Sequence, residues 1–101
     1  MTSPLTRAYT PPQGHRVLFE NDRVRVMEVR IAVGETSGMH EHPPCLVYAL
    51  GDAKVRMSLR DGTSRDVDIK KSETTWSEGG WHEVHNIGQT EDLGIIVELK
   101  R

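Results

Sequence analysis

An all-β barrel or jelly roll is the fold this sequence predicts, and three observations carry that expectation. From Val17 onward, short β-branched and apolar runs are separated by turn residues at Gly34-Glu35, Gly51-Asp52, Gly79-Gly80 and Gly88. Asp61-Gly62 stands between two segments of strict apolar–polar alternation, a strong hairpin signal because such turns need residues that tolerate positive φ. No segment carries apolar residues at helical spacing.

Residues 1–15 contain Pro4, Pro11, Pro12 and Gly14 among small polar residues and read as a flexible or dimer-contacting tail, leaving residues 16–101 as one domain. In the run from Arg23 to Val33, Val24 and Val26 share one face, whereas Met27, Val29, Ile31 and Val33 share the other. That change of parity predicts a bulge or a passage between sheets near Val26, or else a strand buried on both faces. Cys45 to Leu50 is an apolar strand. Val55, Met57 and Leu59 alternate with Lys54, Arg56, Ser58 and Arg60, and Val67 and Ile69 resume the alternation after the hairpin turn. His82 to Ile87 and the set Leu93, Ile95, Val97 and Leu99 supply the remaining strands. Roughly eight strands in a chain this short are expected to close on themselves, since open edges invite aggregation.

With 101 residues the chain has room for one core, and its 13 Lys and Arg against 15 Asp and Glu leave a formal charge of −2. No positive field favours nucleic acid or an anionic membrane, and no apolar stretch is long enough to span a bilayer. No apolar segment follows the basic Arg7, so a soluble, unprocessed, cytoplasmic protein is expected. Cys45, the only cysteine, excludes an internal disulfide and suits that reducing compartment. A core this small predicts a homodimer, in which apolar strand faces or the tail are buried against a second copy.

His40 and His42 lie two residues apart, so on an extended strand their rings leave the same face, a spacing that suits two imidazoles on one metal. His82, Val84 and Asn86 share a face of a second strand. Inward polar groups are costly unless paired or bound, and one divalent ion would satisfy His40, His42 and His82 together. By the same alternation Glu41 and His85 point away.

Gly34, His40-Glu41-His42, and later Gly79-x-x-His82-x-x-x-Asn86 with the intervening Leu46-Val47-Tyr48-Ala49-Leu50-Gly51, resemble the two blocks of the cupin superfamily over about residues 17 to 100. The chain most resembles small stand-alone bacterial cupins, some of them labelled as involved in β-alanine degradation. The resemblance implies a double-stranded β-helix, the cupin jelly-roll barrel, with a metal site at one mouth and frequent homodimers. This sequence departs from the pattern where the first block usually carries a glutamate, three or four residues after the second histidine. Leu46 and Val47 stand there instead. Ser77 and Lys71 replace a proline and a glycine of the second block.

Three neutral ligands leave the ion (Fe, Ni, Zn or Mn, one per protomer) its full charge and open positions for water or a small-molecule ligand. Met39, Leu46, Tyr48, Trp76, Trp81, Asn86 and Cys45 are the expected pocket-lining residues. Cys45 either packs in an apolar strand or adds a thiolate ligand. Asn86 either orients a ligand or holds a turn, and Trp76 and Trp81 either line the mouth or anchor a dimer contact. No catalytic acid–base residue is identifiable. Two functions compete: a metal-dependent enzyme of dioxygenase, isomerase or lyase type acting on a small organic acid, and a non-catalytic binding or sensor module.

Overall fold

The structure is a computed structural model and describes residues 9–100. Its nine strands are β1 (His15–Glu20), β2 (Val24–Ile31), β3 (His40–His42), β4 (Cys45–Ala49), β5 (Ala53–Leu59), β6 (Ser64–Ile69), β7 (Thr74–Ser77), β8 (Gly80–Asn86) and β9 (Asp92–Leu99). They form two antiparallel sheets, one in the order β1-β2-β9-β4-β7 and the other β3-β8-β5-β6, with no helix among the described residues.

The expected hairpin joins β5 to β6. Gly62 takes φ +94°, and the Asp61 carboxylate accepts the Thr63 amide at 2.9 Å and its hydroxyl at 2.7 Å. Side chains that alternate about the strand put Met27, Val29 and Ile31 of β2, Cys45 and Ala49 of β4, Ala53 and Val55 of β5, and Ile96 of β9 between the sheets. These eight are the buried apolar core among the described residues.

The bulge expected near Val26 does not occur; the alternative, a strand with apolar residues packed on both faces, describes β2. β2 pairs with β9 in unbroken register from Val24↔Leu99 to Ile31↔Asp92, and Val24 and Val26 are half-buried on its outward face. The irregularity falls on the neighbouring β1, between Val17 and Phe19. The outward face is therefore itself apolar: Phe19, Val26, Val97, Leu46 and Trp76 stand opposite one another in a continuous row across all five strands. Phe19 is 55% exposed and Trp76 49%.

Residues 1–8 of the expected tail lie outside the described residues. Within the rest, Tyr9 packs its ring under the Arg25 guanidinium at 3.4 Å, and His15 is already the first residue of β1.

Candidate metal centre

Strand pairing brings the two histidine blocks together. β3 lies antiparallel to β8 with His40 opposite His82 and His42 opposite Gly80. The β7–β8 turn reaches this place only because residue 79 is glycine. It adopts φ +89°, and a Cβ there would stand 2.5 Å from the His42 carbonyl oxygen.

The imidazoles converge. His40 Nε2 is 2.9 Å from His42 Nε2 and 3.1 Å from His82 Nε2. A fourth ring joins them from the other sheet. His15, inward on β1 opposite Val29, has its centroid 5.2 Å from that of His40 and 5.6 Å from that of His42. Ring nitrogens of His15, His40 and His42 all lie within 4.8 Å of one another, close enough to share one metal ion.

Three of the four rings are held from behind. Nδ1–H of His15 donates to the Gln13 carbonyl at 3.0 Å, and that of His40 to the Gly38 carbonyl at 2.7 Å. His42 is 4% exposed and donates its Nδ1–H to the Glu98 carboxylate. Carbonyls and carboxylates only accept, so a neutral ring bound to one carries its proton at Nδ1 and presents a lone pair at Nε2. Burial enforces neutrality: desolvation lowers the pKa of His40 and, reinforced by the neighbouring rings, lowers that of His82 to about 4. His15 falls to about 4, again chiefly by burial.

Glu98 is 1% exposed and faces inward on β9 beside Cys45 of β4. Its second oxygen lies 3.5 Å from Arg25 Nη1, and Arg25 in turn binds Glu20 through Nη2 at 2.7 Å and Nε at 3.0 Å. Lys100 also binds Glu20. This chain of charges keeps Glu98 from being an isolated buried anion.

Below the rings a cavity of about 120 Å³ runs into the barrel, walled by Val29, Ile31, Val47, Val55 and Ile96 among others. Asp92, the carboxyl on its wall, has its pKa raised by burial alone.

The structure brings the rings of His40, His42 and His82 together but redistributes the expected pocket wall. On β4 the inward residues are Cys45, Val47 and Ala49, so Leu46 and Tyr48 point outward and are 39% and 41% exposed. The position that faces the imidazoles is Val47, one residue further on, because a single step along a strand changes the face. Trp76 lies opposite Leu46 on the outer face, its Nε1 donating to Glu78. Trp81 stacks against the Arg60 guanidinium at 4.0 Å, and Met39 is 40% exposed.

Asn86 is fully buried, yet its amide is spent on a turn: it donates to the Ile31 and Thr90 carbonyls and accepts from the Gly88 amide. Cys45 packs with Val29, Ile31 and Ile96, and burial pushes its thiol up to about 11, so packing rather than thiolate ligation describes it. Two residues of the site, His15 and Glu98, were not found by sequence reasoning. The signal for His15 was its alternation with Val17; for Glu98 it was a carboxylate in phase with Ile96 and Gly94.

No family model and no curated protein sequence matches this chain. Solved structures do. A cupin domain from Bordetella pertussis Tohama I is 25% identical over 93% of this chain and 99% of its own, with a TM-score of 0.80. An RmlC-like cupin family protein with a double-stranded β-helix fold from Methanocaldococcus jannaschii is 13% identical over 94% of this chain and 84% of its own, with a TM-score of 0.68. A protein from Thermotoga maritima described as a predicted oxalate decarboxylase is 20% identical over 86% of this chain and 79% of its own, at TM-score 0.62. The two antiparallel sheets are thus the double-stranded β-helix of the cupins. The chain has the fold of a small cupin. None of these three structures is described as acting in β-alanine degradation.

Proposed function

We propose that this cupin binds one divalent metal ion per protomer through His40, His42 and His82, and that the ion serves a small-molecule site in the barrel. One observation carries the reading. The Nδ1 atoms of His40 and His42 each meet an oxygen acceptor, an arrangement that in neutral rings turns both Nε2 lone pairs toward each other across 2.9 Å. Such an approach is repulsive unless a cation lies between the rings. Two imidazole nitrogens bound at ~2.1 Å to one ion, at right angles, stand ~3.0 Å apart. The observed separations of 2.9 and 3.1 Å match that chord.

When bound, an iron, nickel, zinc or manganese ion supplies Lewis-acid polarisation of a ligand's oxygen. The chain's own contribution is orientation and exclusion. Glu98 and the Gly38 carbonyl fix the tautomers of His42 and His40, and the apolar wall keeps bulk water from the cavity. With Val47 in place of the family's carboxylate, the protein neutralises none of the ion's charge at first contact, which favours a small organic acid as the ligand. Turnover of dioxygenase, isomerase or lyase type is the chemistry such a site would serve. The competing sensor reading draws on the same wall, where Asp92 is the one carboxyl besides the imidazoles.

Elemental analysis of untagged protein purified without added metal tests the proposal. About one divalent ion per protomer is expected, lost on His82→Ala or His42→Ala; absence of metal from the wild-type protein overturns it.

A second copy of the chain is the proposed partner of the outer face of the five-stranded sheet. At ~4.8 Å between strands and ~3.3 Å per residue the face measures roughly 20 by 23 Å, the size of the smaller interfaces between proteins. Two of its arginines are already paired, Arg16 with Glu28 and Arg30 with Glu91, which leaves the apolar row as the feature a partner would cover.

A further inference from the structure

His15 belongs to neither histidine block, yet the fold goes to some length to place it. The turn before β1 is closed by the His15 amide on the Pro12 carbonyl at 3.1 Å and by the Arg30 amide on the Gly14 carbonyl at 2.7 Å. Gly14 sits at φ +81°, and a Cβ there would lie 3.0 Å from the Arg30 carbonyl oxygen and 3.1 Å from Ile31 Cγ1. Only glycine lets the chain enter β1 so close to β2 and turn the next side chain inward.

That side chain is a part-buried imidazole with one nitrogen donating to the Gln13 carbonyl. Its other nitrogen makes no hydrogen bond among the described residues, and the ring stands beside His40 and His42. A neutral ring left with an unused lone pair inside a barrel is a cost without a return, unless a cation takes that lone pair. The inward position of β4, where the related pattern carries a carboxylate, is the apolar Val47, so the coordination shell has room for another donor.

We propose that His15 is a further ligand of the metal ion, a nitrogen donor standing in for the absent carboxylate, and that the ion thereby clips edge strand β1 of one sheet to β3 of the other. This deepens the metal reading above and rests on it. Among the described residues β1 pairs only with β2 and its outer edge has no strand partner, and strands in that position open first. Coordination through His15 ties its first residue across the barrel mouth to His40 and His42.

Cobalt(II) titration followed by visible absorption, together with amide hydrogen exchange, tests the clip on the wild-type protein, His15→Ala, His15→Gln and His42→Ala. Binding at least ~10-fold weaker in both His15 variants, with a changed d–d spectrum, is expected. Cobalt should slow exchange of the β1 amides in the wild type and not in the variants. Pulsed electron paramagnetic resonance of copper(II)-loaded wild-type protein gives a second reading free of any folding defect, with one more coupled imidazole than in His15→Gln.

If the wild type takes up no cobalt, the metal reading falls and the clip with it. If the wild type binds, His42→Ala does not, and the His15 variants match the wild type in affinity and spectrum, only the clip is overturned.

Discussion

His42 and Glu98, 56 residues apart in the chain, meet at almost complete burial, the imidazole Nδ1–H on the carboxylate. The carboxylate fixes which nitrogen of His42 faces the centre. Glu98→Gln keeps an acceptor for the ring but removes the charge, and is expected to weaken metal binding roughly 10–100-fold while the fold persists. Glu98→Ala, which also leaves Arg25 without its inward partner, is expected to cost about 3 kcal/mol of stability. Chelator competition and thermal melts check the two values. Unchanged affinity in Glu98→Gln would show that the contact is structural only.

The face-changing step between Leu46 and Val47 makes opposite predictions for adjacent residues. Val47→Glu places a carboxylate beside the imidazoles, so metal retention should rise and binding of acetate or similar anions should weaken. Leu46→Glu, on the outer face, should change neither. Calorimetric titration with simple carboxylates, on metal-loaded protein, decides between the two positions; an effect from Leu46→Glu equal to that of Val47→Glu would contradict the inward assignment of Val47.

The same Leu46→Glu substitution, or Trp76→Glu, sets a charge in the middle of the apolar row. Sedimentation at tens of micromolar should then report a dimer for the wild type and a monomer for either variant. A wild-type protein that sediments as a monomer removes the proposed partner.

The metal-free protein should lose stability in mild acid. His15 and His82 have folded-state pKa values of about 4, against an ordinary 6.5. Between these values the unfolded chain takes up protons that the folded one refuses, so stability is full above pH ~6.5 and drains as pH falls toward 4. Urea midpoints from pH 7.5 to 4.5 should fall steadily, and less steeply in His82→Gln. A flat profile would mean that these rings titrate alike in both states.

Much of the fold was legible in the sequence because turn chemistry is local. Asp61-Gly62 marks its hairpin, and His40 and His42 show their shared face by spacing alone. The pocket wall was not legible, for a physical reason. Parity arguments identify the inward face by its apolar residues, but in β4 and β9 the outward sets, Leu46 with Tyr48 and Leu93, Ile95, Val97 and Leu99, are as apolar as the inward ones. Where both faces are apolar, alternation no longer says which is inside. Glu98 was hidden by the same ambiguity, being a carboxylate on what looked like the solvent side of its strand. His15 was hidden by the prolines before it, which make residues 9–14 resemble a tail up to the first residue of a strand.

β9 is the last strand among the described residues and the middle strand of its sheet, flanked by β2 on one side and β4 on the other. On a ribosome, the β1–β2 ribbon and the β4–β7 ribbon emerge early but have no common neighbour until residues 92–99 follow them out. Neither ribbon can be zipped to the other by nearest-neighbour growth, so that half of the barrel closes in one late, long-range event. Glu98 arrives with that event. The orientation of His42 is therefore set by a strand 50 residues further along the chain, and only once residues 92–99 have joined the sheet.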